Sequence, residues 1–332
     1  MLASPLIGAL RRRYPDAHIG WLVQAECAPL LLHHPDLDEV IVWPYREWRA
    51  LLRERRLGEL WRRFRAFRRK LRSRGFHLAI DLQGLAKSGV LTHASGAPER
   101  IGLGSREGSQ WLMTRVVPRG GEPKRIGSEY LFLAETLGLS TADGFPMAVH
   151  YTSEERSFAD GVIARERLSD GYAVISPFTT RPQKHWFEDR WAELTHRLSA
   201  ELGLPVVLLG GPADVAAAAR IRAQGTDRLT DLTGRTSLLQ AAALIDRSAL
   251  HIAVDTGLGH MGIAFGTPSL LLFGSTCPYR DTTRANARVL YHELPCSPCK
   301  RRPTCAGDFT CMRLIEVDEV IAAAHEVIGG AP

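Results

Sequence analysis

The densest run of chemically useful residues is Asp255-Thr256-Gly257-Leu258-Gly259-His260. It follows residues 248–253, an apolar run of strand length, and leads into a short helical pattern that Gly266-Thr267-Pro268 breaks. In such a strand, turn and helix unit, Asp255 and Thr256 fall where helix caps belong, and Gly257 and Gly259 let a ligand come close to the backbone. The free N–H groups of the first helical turn, with the helix dipole, then make an anion site suited to a phosphate or diphosphate. His260, one turn in, adds a donor to the same anion. The plainer reading is that Asp255 only caps and His260 only packs, and one capped Gly-rich turn does not decide between the two.

A second set of polar groups stands after residues 172–175, another short apolar run. There the loop 177–186 carries Thr179, Thr180 and Lys184. Both sets lie at carboxyl ends of predicted parallel strands, where open α/β sheets bind ligands. Two hydroxyls, an ammonium and a helix N-terminus converging on one crevice suit an anionic leaving group such as a nucleoside diphosphate, because fixed donors stabilise charge as it develops. Seen alone, Thr179 and Thr180 are an ordinary polar loop. In the first half, residues 77–82 end in Gln83-Gly84-Leu85-Ala86-Lys87-Ser88, a polar turn that offers Gln83, Lys87 and Ser88 at the same kind of position. Late in the chain, Cys296, Cys299, Cys305 and Cys311 give the spacing C-x2-C-x5-C-x5-C, which could close a tetrahedral zinc site. Free or disulfide-paired thiols are the competing reading, since the x5 spacings are not those of a common finger. Cys27 and Cys277 read as small core residues.

The elements that must position these groups alternate. Helix 3–14, strand 18–23, helix 25–33, strand 39–43, strand 77–82, strand 100–103 and helix 128–137 make up the first half. Residues 138–170 lose periodicity and collect Gly, Asp and Pro before a polar helix begins near Ser153. Strand 172–175, helix 188–202, strand 205–209, helices 213–224 and 236–246, and strand 269–273 follow. Alternation of this kind predicts parallel sheets. At 332 residues the chain fits two domains, with 45% hydrophobic and 23% charged residues as in soluble globular proteins. The expected division is 1–150, a linker over 151–170, and 171–332. No stretch approaches the ~20 apolar residues of a membrane span and no signal peptide precedes the first basic run, so a cytoplasmic protein is expected.

Charge is concentrated in one segment. Between Arg46 and Arg74 there are 13 Arg or Lys against three Glu, while the whole chain carries only +6. Trp48, Leu51, Leu52, Leu57, Leu60, Trp61, Phe64, Phe67 and Leu71 recur at helical spacing among the arginines, which predicts one long amphipathic helix with a break near Gly58. A solvated face and a contact with anionic lipid headgroups are the two main readings. No zinc-finger, helix-turn-helix or RNA-binding signature accompanies the charge, so nucleic acid is not an expected partner.

Over nearly its whole length the sequence resembles the lipopolysaccharide heptosyltransferases of glycosyltransferase family nine. The resemblance runs through Asp81-Leu82-Gln83-Gly84-Leu85-Ala86-Lys87-Ser88, Thr179-Thr180-Arg181 with Lys184-His185-Trp186, and Asp255-Thr256-Gly257 with His260. It implies the GT-B fold, two Rossmann-like domains facing across a cleft, with the acceptor on the first and the nucleotide sugar on the second. It implies transfer of a heptose from ADP-heptose to the lipid A inner core, at the inner face of the inner membrane, with no cofactor needed for the chemistry. Thr179, Thr180 and Lys184 would hold the diphosphate, and Asp255, Thr256, Gly257 and His260 would line the same site. Asp214 stands where the family has an acidic residue on the ribose, with Ala213 as the alternative alignment. Gln83, Lys87 and Ser88 would face the acceptor, and the cysteine cluster, similar to those of some relatives, would be structural. One departure stands at the front. Family members open on a strand and a Gly-Asp loop whose aspartate is the expected general base, whereas Met1-Leu2-Ala3-Ser4-Pro5 matches the helix after that loop. A late start or a truncation is the expectation there, and with it the rival reading of a non-catalytic module that binds a nucleotide sugar or an anionic membrane.

Overall fold

Local apolar patterning sets the first half of the chain into short parallel strands separated by helices. Its strands are β1 (Gly20–Gln24), β2 (Glu39–Trp43), β3 (Leu78–Asp81), β4 (Glu99–Leu103) and β5 (Arg115–Val117). The structure is a computed structural model describing residues 1–225, 227–276, 279–300 and 302–330. β1 pairs with β2, Gly20 opposite Glu39, and β3, β4 and β5 form a separate sheet in that order. Among the described residues, β1 and β3 each leave one edge outside the pairing. The two sheets approach at their starts, where a Cβ on Gly20 would lie 3.0 Å from the Phe76 ring. Helices Leu57–Arg72 and Ala86–Ala94 bridge them, burying Leu71 and Ala94 beside Ile41 with Phe64, Phe67 and Phe76 packed around.

The basic segment is two helices, Tyr45–Arg53 and Leu57–Arg72, rather than one. The break falls at residues 54–56, where Arg55 takes a φ of 57°, and Gly58 lies inside the second helix. Packing is the reason. Trp48 meets Phe64 and Phe67 edge to face, with ring centroids 5.9 and 5.4 Å apart. On an unbroken helix those residues would stand roughly 24 and 28 Å apart, at about 1.5 Å per residue.

The second half forms a six-stranded parallel sheet from β6 (Ala173–Ser176), β7 (Val206–Leu208), β8 (Leu229–Asp231), β9 (Leu250–Val254), β10 (Ser269–Leu272) and β11 (Ala287–Leu290), in the order β11-β10-β9-β6-β7-β8. Every residue of β6, β7, β9 and β10 is buried, as expected of a parallel sheet covered on both faces. Trp191, Leu194, Leu198, Ile221 and Ile321 cover one face; Ala159, Val162, Leu244 and Met261 cover the other. Ala159 and Val162 belong to helix Ser153–Arg165, which a Thr152–Glu155 capping box starts. Residues 151–170, expected to be a linker, therefore contribute a core helix to the second half.

The halves meet at a short parallel bridge. Asp281 N–H donates to the Lys124 carbonyl and Ile126 N–H to the Asp281 carbonyl, each at 2.8 Å. Ile126 packs there with Ile263, Leu271, Phe273 and Tyr279. Among the described residues no helix is long and apolar enough to cross a membrane.

Candidate active site

The site is built where β9 gives way to helix Gly257–Phe265. Thr256 is the residue before that helix and its side chain makes no capping bond; Asp255 does not cap either. Instead Asp255 Oδ2 accepts from Lys184 Nζ at 2.5 Å, in a pair whose side chains are 15% and 18% exposed. The first-turn N–H groups are thus left for a ligand. The two glycines have different reasons. A Cβ on Gly259 would lie 2.9 Å from the Leu271 side chain and 3.2 Å from the Val254 carbonyl, so Gly259 serves the packing of helix on sheet. A Cβ on Gly257 would meet nothing within 4 Å, so Gly257 faces open space at the helix N-terminus, where an anion would lie.

His260 joins the pair from the helix. Its Nε2 is 3.9 Å from Asp255 Oδ1, and its Nδ1 is 2.6 Å from the Tyr279 hydroxyl. Burial pulls its pKa down to about 4, against the attraction of Asp255, with the Met1 ammonium and Lys184 adding to the lowering. The imidazole is therefore neutral near pH 7 and has one N–H to give.

Lys184 ends a short 3-10 turn, Pro182–Lys184, that is anchored from beneath. Buried Gln183 donates its amide to the Lys300 carbonyl at 3.1 Å, and buried Trp186 donates its indole N–H to the Ile315 carbonyl at 3.0 Å. His185 Nε2 donates to the Thr179 carbonyl at 2.8 Å, which folds the loop back on itself. Thr179 is half-buried and Thr180 exposed beside it. Asp214 is engaged locally, its carboxylate accepting from Gly211 N–H at 2.8 Å ahead of helix Val215–Gln224. Among the described residues no hydrogen bond or ion pair joins it to Lys184, Asp255 or His260.

On the first half, Asp81 organises the turn after β3. Its Oδ1 accepts from the Gln83 and Gly84 N–H groups at 2.9 and 3.1 Å, and its Oδ2 from the Ser88 hydroxyl at 2.9 Å. Ser88 thus holds the turn. Gly84 must be glycine, with φ at 67° and a hypothetical Cβ 2.8 Å from the Gly104 carbonyl oxygen. The Lys87 ammonium lies over the rings of Tyr45 and Trp43, 4.8 and 5.9 Å from their centroids, and the Gln83 side chain is exposed. Arg119 donates to the Gln83 carbonyl at 3.0 Å and pairs with Glu129. Arg119, Arg125, Glu129 and Tyr279 line a cavity of 490 Å³ at the joint between the halves. Sequence reasoning missed Arg119, Arg125 and Tyr279. Tyr279 follows β10 at its carboxyl end, the positional signal that picks out Lys184 and Asp255.

The four late cysteines are free thiols, and among the described residues no three His, Cys, Asp or Glu side chains stand together to hold a metal. Cys311 is drawn into the core against Gly274 while Cys296 faces solvent. Burial raises the thiol pKa values of Cys299 and Cys311. Cys27, expected in the core, is exposed, and Cys277 lies outside the described residues.

The fold matches solved proteins. The glycosyl transferase family 9 protein of Veillonella parvula is 22% identical, with a TM-score of 0.84 over 99% of this chain and 94% of that one. A heptosyltransferase of Escherichia coli solved with ADP-2-deoxy-2-fluoro heptose is 23% identical, with a TM-score of 0.71 over 97% and 93%. These likenesses define the class, a GT-B fold of two Rossmann-like halves across a cleft. Sequence then narrows it. The model of glycosyltransferase family 9 (heptosyltransferase) matches residues 64–309. Lipopolysaccharide heptosyltransferase 1 of Pseudomonas aeruginosa is 32% identical over 91% of this chain and 82% of its own. The chain belongs to glycosyltransferase family 9, a family of sugar-transferring enzymes.

Proposed function

We propose that this enzyme moves a heptose from ADP-heptose, with inversion at the anomeric carbon, onto the lipid A inner core during lipopolysaccharide synthesis. The observation that carries the reading is the Lys184–Asp255–His260 network at an uncapped helix N-terminus. A diphosphate over Gly257 would meet the first-turn N–H groups, the Lys184 ammonium and the His260 N–H. Negative charge grows on that diphosphate as its bond to the sugar breaks, and donors already in place stabilise it without reorganising. Thr179 and Thr180 add hydroxyls from the facing loop, and Thr256 stands beside the first turn. Asp255 is held by Lys184 and so does not attack the sugar, which leaves displacement to an acceptor hydroxyl and predicts inversion. The names of the relatives support the acceptor and the donor: one is a lipopolysaccharide heptosyltransferase, another was solved with an ADP-heptose analogue.

In this reading the acceptor enters from the first half, past Gln83, Lys87 and the cavity of Arg119 and Arg125. Helix Leu57–Arg72 holds the enzyme at the anionic inner leaflet on the cytoplasmic side. Gly58, Trp61, Arg62, Arg65, Arg68, Arg69 and Arg72 line a hollow of 420 Å³ along one helix face. Among the described residues no ion pair engages these five arginines, whereas Arg56, Arg63 and Arg74 pair with Glu59, Glu47 or Glu39. Leu57 and Trp61 are each 58% exposed on the same helix, an apolar contribution to an interfacial contact. Incubating the enzyme with ADP-heptose and lipid A inner core, then reading the anomeric one-bond carbon–proton coupling of the product, tests the central step. A new glycosidic bond of configuration opposite to the donor is expected. Retained configuration, or no transfer, would refute it.

A further inference from the structure

We propose that Tyr279 is a positioning residue for this reaction, one that fixes the ring tautomer of His260 so that its single N–H sits on Nε2, on the side of Asp255, from where it can pass to the donor's diphosphate. The inference rests on the reading of the site as a diphosphate site, and it concerns a residue that the Lys184 and Asp255 motifs do not include.

Geometry supplies the argument. The Tyr279 hydroxyl is 2.6 Å from His260 Nδ1, while the other ring nitrogen, Nε2, is 3.9 Å from Asp255 Oδ1. A neutral imidazole carries one proton on one of these two nitrogens. On Nδ1 it would leave an Nε2 lone pair facing a carboxylate oxygen; on Nε2 it turns that approach into an attraction. The phenol keeps its own proton, since burial raises its pKa, and so it can donate to Nδ1. Every proton then runs one way: Tyr279 O–H to His260 Nδ1, His260 Nε2–H toward Asp255, and Lys184 Nζ–H to the second oxygen of Asp255. When a diphosphate takes up the helix N-terminus, the ammonium and the imidazole N–H, both held at Asp255, would be the donors that turn to it.

Tyr279 is also placed to hold this arrangement firmly. Its ring is buried, meets Phe273 edge to face at 5.4 Å, and lies in one cluster with Ile126 of the first half. It stands two residues before Asp281, whose backbone bridges to Lys124 and Ile126. In the cavity of the joint it is the second-half residue among first-half ones, with Arg119, Arg125 and Glu129. The tautomer of His260 is therefore set by a ring that touches both halves of the enzyme.

The test uses Tyr279→Phe in the full chain, which keeps the ring and removes only the hydroxyl. Long-range proton–nitrogen spectra of histidine-labelled protein, with His260 assigned by its loss in His260→Gln, read the tautomer directly. Wild type is expected to show an unprotonated Nδ1 and a protonated Nε2, and Tyr279→Phe a mixture of both tautomers at an unchanged unfolding temperature. With ADP-heptose and acceptor, kcat should fall about tenfold and the acceptor KM stay the same, the loss expected for one hydrogen bond felt in the transition state. A His260 signature unchanged by the substitution overturns the proposal, whether or not kcat falls, and so does wild-type kcat. The spectra need no substrate, so a wrong donor assignment would leave the tautomer result standing and would show only in the kinetics.

Discussion

In the proposed reaction the Lys184–Asp255 pair concentrates the chemistry at two side chains. At 2.5 Å and mostly buried, each charge is compensated by the other until an anion arrives. Lys184→Ala should lower kcat by about 10²–10³, the loss typical of one preorganised donor, because the ammonium meets charge that grows in the transition state. It should also cost about 1–3 kcal/mol of stability, since a half-desolvated Asp255 is left without its partner. Steady-state kinetics beside thermal unfolding separate the two effects, and unchanged kinetics in a folded variant would remove Lys184 from the site. Lys184, Asp255 and His260 were legible in the sequence because each follows an apolar run of strand length, and parallel strands deliver their ends to one edge. Tyr279 was not legible as part of the site. Its role depends on a ring of the preceding helix and on packing with Ile126, contacts between positions far apart that no local pattern encodes. The purpose of Gly259 was misread for the same reason: its neighbour is Leu271 on the adjacent strand.

Among the elements, the strands of the second half were the easiest to place, since β6, β9 and β10 are buried runs bounded by turn residues. β5, β8 and β11 carry no such continuous run; residues such as Arg115, Asp231 and Arg288 interrupt them, and their pairing rather than their composition makes them strands. The basic segment shows the converse. Its helical period was plain, but the break at residues 54–56 serves the stacking of Trp48 on Phe64 and Phe67, a tertiary demand invisible to a moving window. That fold leaves Arg62, Arg65, Arg68, Arg69 and Arg72 on one helix around a shared hollow. Each arginine near an anionic surface contributes about 1 kcal/mol, and the attraction is screened over about 8 Å at physiological salt. Co-sedimentation should therefore show binding to anionic but not neutral vesicles, weakening steeply as salt rises. A variant with these five arginines changed to Gln should lose most of it. Equal binding of both proteins, or binding indifferent to salt, would make the helix an ordinary solvated face.

For the molecule as a whole, the two halves meet at a backbone bridge and at shared apolar clusters, with Met1 and Leu30 of the first half packed on the core of the second and Ile126 packed with Tyr279. The bridge at Arg125 and Asp281, the Ile126–Tyr279 cluster and the cavity beside them stand between the donor-side network and the turn of Asp81 and Gln83. In the proposed reaction, transfer across such a joint requires both substrates, because the donor groups would stabilise a leaving diphosphate and supply nothing to attack the sugar. The most direct measurement is the release of ADP from ADP-heptose by the enzyme, followed with and without a lipid A inner-core acceptor. The account predicts release that depends on the acceptor, saturates with it, and drops by about two to three orders of magnitude in Lys184→Ala. Release at the same rate without acceptor, or no release in its presence, would contradict it.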